Sequence, residues 1–248
     1  MSGHRCFVEH SRWNTSRIEL GAEESHYLIH VLRVNSNTKI KFFDGEGHEA
    51  EGRVVIEGKK VWLEEPNIIR NEPPPEVKLC LAIAVLKGQK MDFVVEKATE
   101  IGASKIIPFV SEYTVKRPAS SESVINRWKK IALNATRQCN GVWLPEIHPV
   151  LDYKSAVDYC QKSSLFLIAT LACSGKPLRE VINQYKKRDI KSQSVILMIG
   201  PEGDFTSEEI HLAINHGAIA VNFGKRILRA ETAALYGLSV LQYSEIAG

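Results

Sequence analysis

Two glycine-bearing loops hold the residues best suited to chemistry. Gly200-Pro201-Glu202-Gly203 follows the apolar run 195–199, and Gly224-Lys225-Arg226-Ile227-Leu228-Arg229 follows 219–223 and leads into Ala230-Glu231-Thr232-Ala233-Ala234. A glycine at a strand end lets a ligand touch the backbone, and a helix start offers unpaired amide N–H groups. In the second loop Ile227 and Leu228 could flank a flat heterocycle, while Arg226 and Arg229 would face an anionic group. Glu231 also has a structural reading, because an acid in the first turn of a helix satisfies the dipole and pairs with Arg226 or Arg229. Glu202 is harder to assign to folding, since an acid between proline and glycine contributes little to a turn. Two such loops beyond the carboxyl ends of strands suggest one composite small-molecule pocket of unknown content.

The elements that must position these loops alternate. From residue 78 onward the pattern predicts strands over 78–86, 105–110, 165–170 and 194–199. Helices are predicted over 91–101, 124–139 and 177–187, with Gly102 as a C-terminal glycine and Thr206-Ser207-Glu208-Glu209 as a capping box. On the second of these helices Val124, Trp128, Ile131, Ala135 and Cys139 share a face. Strand–helix alternation of this kind predicts a mostly parallel α/β sheet covered on both faces.

Residues 5–70 read differently, as short β elements over 5–8, 39–43, 49–56 and 60–63 separated by turn signals, which predicts a small barrel. Asp44-Gly45-Glu46-Gly47 reads as a hairpin turn rather than a nucleotide loop, since no helix follows it. A helical piece over 22–33 places Tyr27 and Val31, with Leu28 and Leu32 offset, on one face. Pro73-Pro74-Pro75 cannot donate backbone hydrogen bonds and marks a spacer, so the expected domains are 1–72 and 73–248.

Composition narrows the class further. The 248 residues carry no apolar run long enough to span a membrane, and the start lacks a signal-peptide core, which predicts a cytoplasmic protein with no membrane partner. Five widely spaced cysteines (Cys6, Cys80, Cys139, Cys160, Cys173) read as reduced, mostly buried thiols. The histidines lack metal-ligand spacing, and His26 and His30 read as a helix surface, so no metal is expected. Between Lys87 and Arg137 ten cations face five acids, a larger excess than the net +3 of the whole chain. Such a segment either tracks phosphates or forms a solvated helix face. Phosphate-binding Gly-x-Gly-x-x-Gly, the P-loop and Gly-x-Ser-x-Gly are all missing.

Taken together, Ile199-Gly200-Pro201-Glu202-Gly203-Asp204-Phe205 and Phe223-Gly224-Lys225-Arg226-Ile227-Leu228-Arg229-Ala230-Glu231-Thr232-Ala233 resemble the cofactor loops of the SPOUT methyltransferases. The finer resemblance is to the RsmE family, the 16S ribosomal RNA uridine-N3 methyltransferases. It also takes in Val31-Leu32-Arg33 after His26, Lys87-Gly88-Gln89-Lys90-Met91-Asp92 running into Glu96–Gly102, and Arg137-Gln138, and so spans nearly the whole chain. At Arg5-Cys6-Phe7-Val8 the sequence departs from the two aromatics that usually follow the arginine.

The resemblance implies an N-terminal PUA-like β-barrel that binds RNA, a C-terminal SPOUT α/β domain with a trefoil knot, and a homodimer. The cofactor it implies is S-adenosylmethionine, held by Thr170, Leu171, Gly200, Pro201, Glu202, Gly203, Phe223, Gly224, Ile227, Leu228, Ala230, Thr232 and Ala233. Arg229 would stabilise charge on the uracil, and Glu231 would orient the base or take its proton. Arg5, Arg33, Lys87, Lys90 and Arg137 would hold phosphates of 16S ribosomal RNA within the small subunit. A related SPOUT enzyme methylating a ribose hydroxyl, an RNA-binding assembly protein without catalysis, and a nucleotide-binding α/β enzyme are the rival readings.

Overall fold

The computed structural model describes residues 4–13, 15–115, 122–171, 175–186 and 194–244. Lys116 and Arg117, two of the ten cations between Lys87 and Arg137, lie outside them, as do Cys173 and Lys187, the last residue of the helix predicted over 177–187. Contacts divide the chain into two compact units: residues 1–74 with 136–144, and residues 75–135 with 145–248.

In the first unit β1 (Arg5–Phe7), β2 (Arg17–Glu19), β3 (Lys39–Phe43), β4 (His48–Glu57) and β5 (Lys60–Asn71) form one sheet in the order β1-β3-β4-β5-β2. Only the β1–β3 pairing is parallel. Along β3 the exposed Lys39 and Lys41 alternate with the buried Ile40 and Phe42, the period of two that sends one face to the core. Cys6, Ile18, Leu28, Val54, Val61 and Leu63 complete that core. The predicted hairpin turn joins β3 to β4, with Gly45 and Gly47 both at positive φ. Residues 142–144 pack onto this turn, Leu144 N–H donating to Gly45 O and Gly47 N–H to Val142 O.

Two expectations change here. Strand β5 runs to Asn71 instead of stopping at Leu63, because a register shift opposite Gly52 accommodates Glu65, at φ 54°, and the donor-less Pro66. The helix over 22–33 is α1 (Ala22–His26) followed by a π-helical turn, Tyr27–Val31. The wider turn breaks the 3.6-residue period, so Leu28 is buried while Val31 is 60% exposed.

The second unit opens with β6 (Lys78–Ala84), α2 (Lys90–Ile101), β7 (Lys105–Val110) and α3 (Glu122–Gln138), whose last three residues belong to the first unit. It continues with β8 (Glu146–Ile147), β9 (Leu151–Asp152), α4 (Tyr153–Cys160), β10 (Leu165–Ala169), β11 (Lys176–Pro177) and α5 (Leu178–Lys186). Then follow β12 (Ser194–Ile199), α6 (Ser207–Asn215), β13 (Ile219–Asn222) and α7 (Ala230–Tyr243). The sheet is parallel throughout, in the order β11-β13-β10-β12-β6-β7-β8, with β9 also on β7. Its central strands β6 and β12 are buried almost end to end, as strands covered on both faces must be.

Helix ends follow the expected chemistry. Gly102 closes α2 in the left-handed region at φ 98°, and Thr206 and Glu209 form the reciprocal capping box at the start of α6. Helix α3 ends at Gln138, which leaves Cys139 exposed rather than on the buried face. Cys6, Cys80 and Cys160 are buried free thiols, and burial pushes the Cys80 thiol up to about 11. Gly237 lets α7 lie against β12: a Cβ there would overlap Leu197 Cδ2 and approach Phe223 Cζ to 3.0 Å. No described helix is long and apolar enough to cross a membrane.

Candidate active site

Strands β13, β10 and β12 are neighbours, so the loops at their carboxyl ends converge. They enclose a cavity of about 350 Å³, within the range of roughly 300–1,000 Å³ usual for small-molecule sites. Thr170, Leu171, Gly200, Pro201, Glu202, Phe223, Gly224, Ile227, Leu228, Ala230 and Ala233 line it, together with Arg229. Gly203 and Thr232 are not on its wall. A Cβ at Gly203 would sit 3.0 Å from Tyr113 Cβ, so that glycine serves the packing of Tyr113. Thr232 is exposed on the first turn of α7.

Among the wall residues not assigned to the cofactor from sequence are Lys90, Asp204 and Asn222. Asp204 sits at φ 62°, and its Oδ2 accepts from Thr170 Oγ1 at 3.1 Å and from Leu171 N–H at 2.9 Å. One carboxylate thereby ties the loop after β10 to the loop after β12. A short acid following Gly203 was the available signal, because aspartate tolerates a left-handed backbone better than most residues. Asn222 Oδ1 accepts from Gly224 N–H at 3.2 Å and shapes the third loop. Gly200 is required by packing: a Cβ there would come within 3.0 Å of the Phe205 ring, which is buried beside Phe109 and Tyr153.

Charge on the wall is organised around Lys90, at the start of α2. Its Nζ lies 2.9 Å from Glu202 Oε1 and 3.8 Å from Glu231 Oε2. The hydrogen bond to Glu202 raises the Lys90 ammonium above its ordinary value. Burial would push the Glu202 carboxyl up, but the hydrogen bond from Lys90, with the ammonium charge and backbone N–H groups, holds it below its ordinary value. Glu231 is not part of the cavity wall; it stands behind Lys90 with its side chain 15% exposed and Oε2 without a hydrogen-bond partner. Arg229 is the N-cap residue of α7 and is exposed on the wall.

Apart from Lys90, the cations expected to hold phosphates divide into two groups. Arg33 and Lys87 are exposed. Arg5 is 4% exposed, with Nε on Glu49 at 2.7 Å, its other nitrogens donating to Thr136 O and Gly141 O, and its guanidinium over the Phe43 ring. Every face of that group is used inside the first unit. Arg137 pairs with Glu24 and lies over the Tyr27 ring, its side chain 9% exposed.

The first unit also gathers three residues that sequence spacing did not connect. His10 Nδ1 and His48 Nδ1 lie 2.8 and 2.6 Å from Asp44 Oδ2. Among the described residues this is the one group of three with metal-ligating atoms together. The separations are those of hydrogen bonds; ligands around a tetrahedral zinc with bonds near 2.1 Å stand roughly 3.4 Å apart. Burial would raise the Asp44 carboxyl, but N–H groups of Glu46 and His48 and the two imidazoles hold it below its ordinary value.

Comparison with known proteins gives these loops a context. The model of an RNA methyltransferase domain matches residues 72–242, and that of an RNA methyltransferase PUA domain matches residues 20–65. The ribosomal RNA small subunit methyltransferase E of Mesomycoplasma hyopneumoniae is 33% identical over 85% of this chain and 88% of its own length. The chain belongs to that methyltransferase family. The Synechocystis member of the RsmE family is 30% identical over 95% of this chain and 76% of its own length. Among solved structures, a Legionella pneumophila methyltransferase holding its cofactor S-adenosylmethionine superposes with a TM-score of 0.86, at 27% identity and 97% coverage of both chains. The RsmE protein of Neisseria gonorrhoeae, also bound to S-adenosylmethionine, gives 0.80 at 28% identity and 96% coverage of both.

Proposed function

We propose that this RsmE-family chain transfers the methyl group of S-adenosylmethionine to N3 of a uridine in 16S ribosomal RNA. The observation that carries the reading is the convergence of three neighbouring strand ends on one cavity whose wall combines glycine backbone, apolar side chains and Arg229. The wall fits the cofactor. Backbone around Gly200 and Gly224 can meet the polar edge of an adenine, and Ile199, Val221, Ile227 and Leu228 its faces. Of the remaining cofactor residues proposed from sequence, Gly203 and Thr232 would act by shaping the loop and the helix start.

When bound, the sulfonium cofactor supplies an activated methyl electrophile. The protein's part would be to hold N3 in line with that methyl while the N3 proton passes to water, so that the N3–C bond replaces the S–C bond and S-adenosylhomocysteine would be left as the product. Arg229, exposed on the wall, would donate to a uracil carbonyl oxygen as negative charge develops there. Glu231, set behind Lys90, would orient this wall rather than touch the base.

For RNA the first unit would serve as a closed PUA-like barrel, with Arg33 there and Lys87 on the second unit offering exposed cations to phosphates. Arg5 and Arg137 would contribute by holding the first unit together. A trefoil knot at the end of the chain is supported by β13 lying outside β10 while α7 returns onto β12 and β6. A homodimer is supported by the exposed Phe93, Tyr236 and Tyr243 on α2 and α7. The reading is compatible with a cytoplasmic location and with 16S ribosomal RNA, naked or within the small subunit, as substrate. Transfer of labelled methyl to small subunits, located by digestion and mass spectrometry, tests it. Arg229→Ala should abolish transfer while keeping cofactor binding; a methyl found on a ribose would refute the uridine-N3 assignment.

A further inference from the structure

Lys90 was expected among the phosphate-binding cations, but its ammonium is on the wall of the cavity. It reaches there from the first turn of α2 and meets one carboxylate from each of two other segments, Glu202 at 2.9 Å and Glu231 at 3.8 Å. The ammonium is held at this position by two acids, one of which, Glu231, has a buried Oε2 with no hydrogen-bond partner, and of its three N–H groups one goes to Glu202, which leaves donors for a ligand in the cavity. Arg229 is close enough to oppose the charge on Lys90, so the two cations share one stretch of wall.

We propose that Lys90 is a catalytic residue of the acceptor subsite, acting beside Arg229 on the negative charge that the uracil acquires, and that Glu231 is its positioning residue. The inference rests on the methyltransferase reading above. Two carboxylates, Glu202 in the loop after β12 and Glu231 on the first turn of α7, hold the ammonium on the wall, and a preorganised cation stabilises developing charge without reorganising. The other charged groups facing this stretch are Arg226 and Asp204, both on the same wall. The position of Glu231 is explained too, since an acid behind a cation aims it without competing for the acceptor base.

The test compares wild type with Lys90→Met, Lys90→Arg, Glu231→Gln and the Lys90→Met/Glu231→Gln pair in single-turnover methyl transfer to small subunits, with cofactor and RNA affinities measured separately. Lys90→Met should slow transfer by about a hundredfold. It should also move the alkaline limb of the pH–rate profile up by about one unit and leave the salt dependence of RNA binding unchanged. Lys90→Arg should recover part of the rate. Glu231→Gln should cost about tenfold and add nothing to Lys90→Met. A salt slope reduced by about one, with the rate intact, would make Lys90 a phosphate ligand and overturn the proposal. So would a rate within twofold of wild type, a defect confined to cofactor affinity, or additive losses in the double variant. No transfer by the wild type would overturn the methyltransferase reading as well, whereas an unaffected Lys90→Met beside an active wild type overturns the Lys90 role alone.

Discussion

Asp204 is the residue whose loss should most clearly separate pocket shape from pocket chemistry. Its carboxylate accepts from Thr170 Oγ1 at 3.1 Å and Leu171 N–H at 2.9 Å, joining two loops of the cavity. Hydrogen bonds to a charged group contribute about 1.5–3 kcal/mol each, and Asp204 is only partly buried, so the lower end applies and the pair amounts to about 3 kcal/mol. Alanine at φ 62° adds a further penalty of about 1 kcal/mol, because a Cβ crowds the carbonyl in that region. If half of this cost of reordering falls on cofactor binding, the dissociation constant of Asp204→Ala for S-adenosylmethionine rises roughly tenfold to a hundredfold, at about 1.4 kcal/mol per decade. Asp204→Asn keeps an oxygen acceptor and tolerates the backbone, so it should stay within a few-fold of wild type. Asp204→Gly removes the backbone penalty alone and should resemble alanine. Titration calorimetry with S-adenosylmethionine reads all three. An alanine variant within twofold of wild type would refute the loop-tying role, and a glycine variant that binds normally would assign the effect to backbone strain.

Other expectations follow from packing and charge. Gly237→Ala gains about 1 kcal/mol of helix propensity but places a Cβ against Leu197 and Phe223, an overpacking cost of about 1–3 kcal/mol. Cofactor affinity should therefore fall through Phe223, whereas Ser239→Ala on the exposed side of the same helix should leave it unchanged. Arg5→Met leaves the buried Glu49 with the longer pair to Lys41 at 3.8 Å and should cost about 3 kcal/mol in urea unfolding, with the salt slope of RNA binding intact. Asp44 has its pKa depressed below 3.8 in the folded chain, so its contribution is present above that value and is lost as pH falls through the folded pKa. The stability gap between wild type and Asp44→Asn should be widest near neutrality and close below about pH 4; a gap constant down to pH 2.5 would contradict this.

Much of the second unit was legible from residue order because its signals are local. Apolar runs of five or six residues, Gly102 after a helix and the Thr206–Glu209 box each declare one element by short-range physics, and those elements stand where expected. The first unit was less legible. Strand β5 passes Pro66 through a register shift, and the π turn at 27–31 exposes Val31, both matters of how neighbouring segments pair and pack.

By itself the sequence determined the strand–helix alternation, the two glycine loops and the family they resemble, since identity and spacing of side chains suffice for these. Only the tertiary structure decided which cations are free. Arg5, Arg33, Lys87, Lys90 and Arg137 are alike as letters, yet Arg5 is taken up by the buried Glu49 and Arg137 by the half-buried Glu24, both distant in sequence, Lys90 stands on a cavity wall, and Arg33 and Lys87 face solvent. The physical reason is that a charge takes its role from the partners and solvent around it, and partners 44 residues away for Arg5 or 112 for Lys90 are supplied only by the fold.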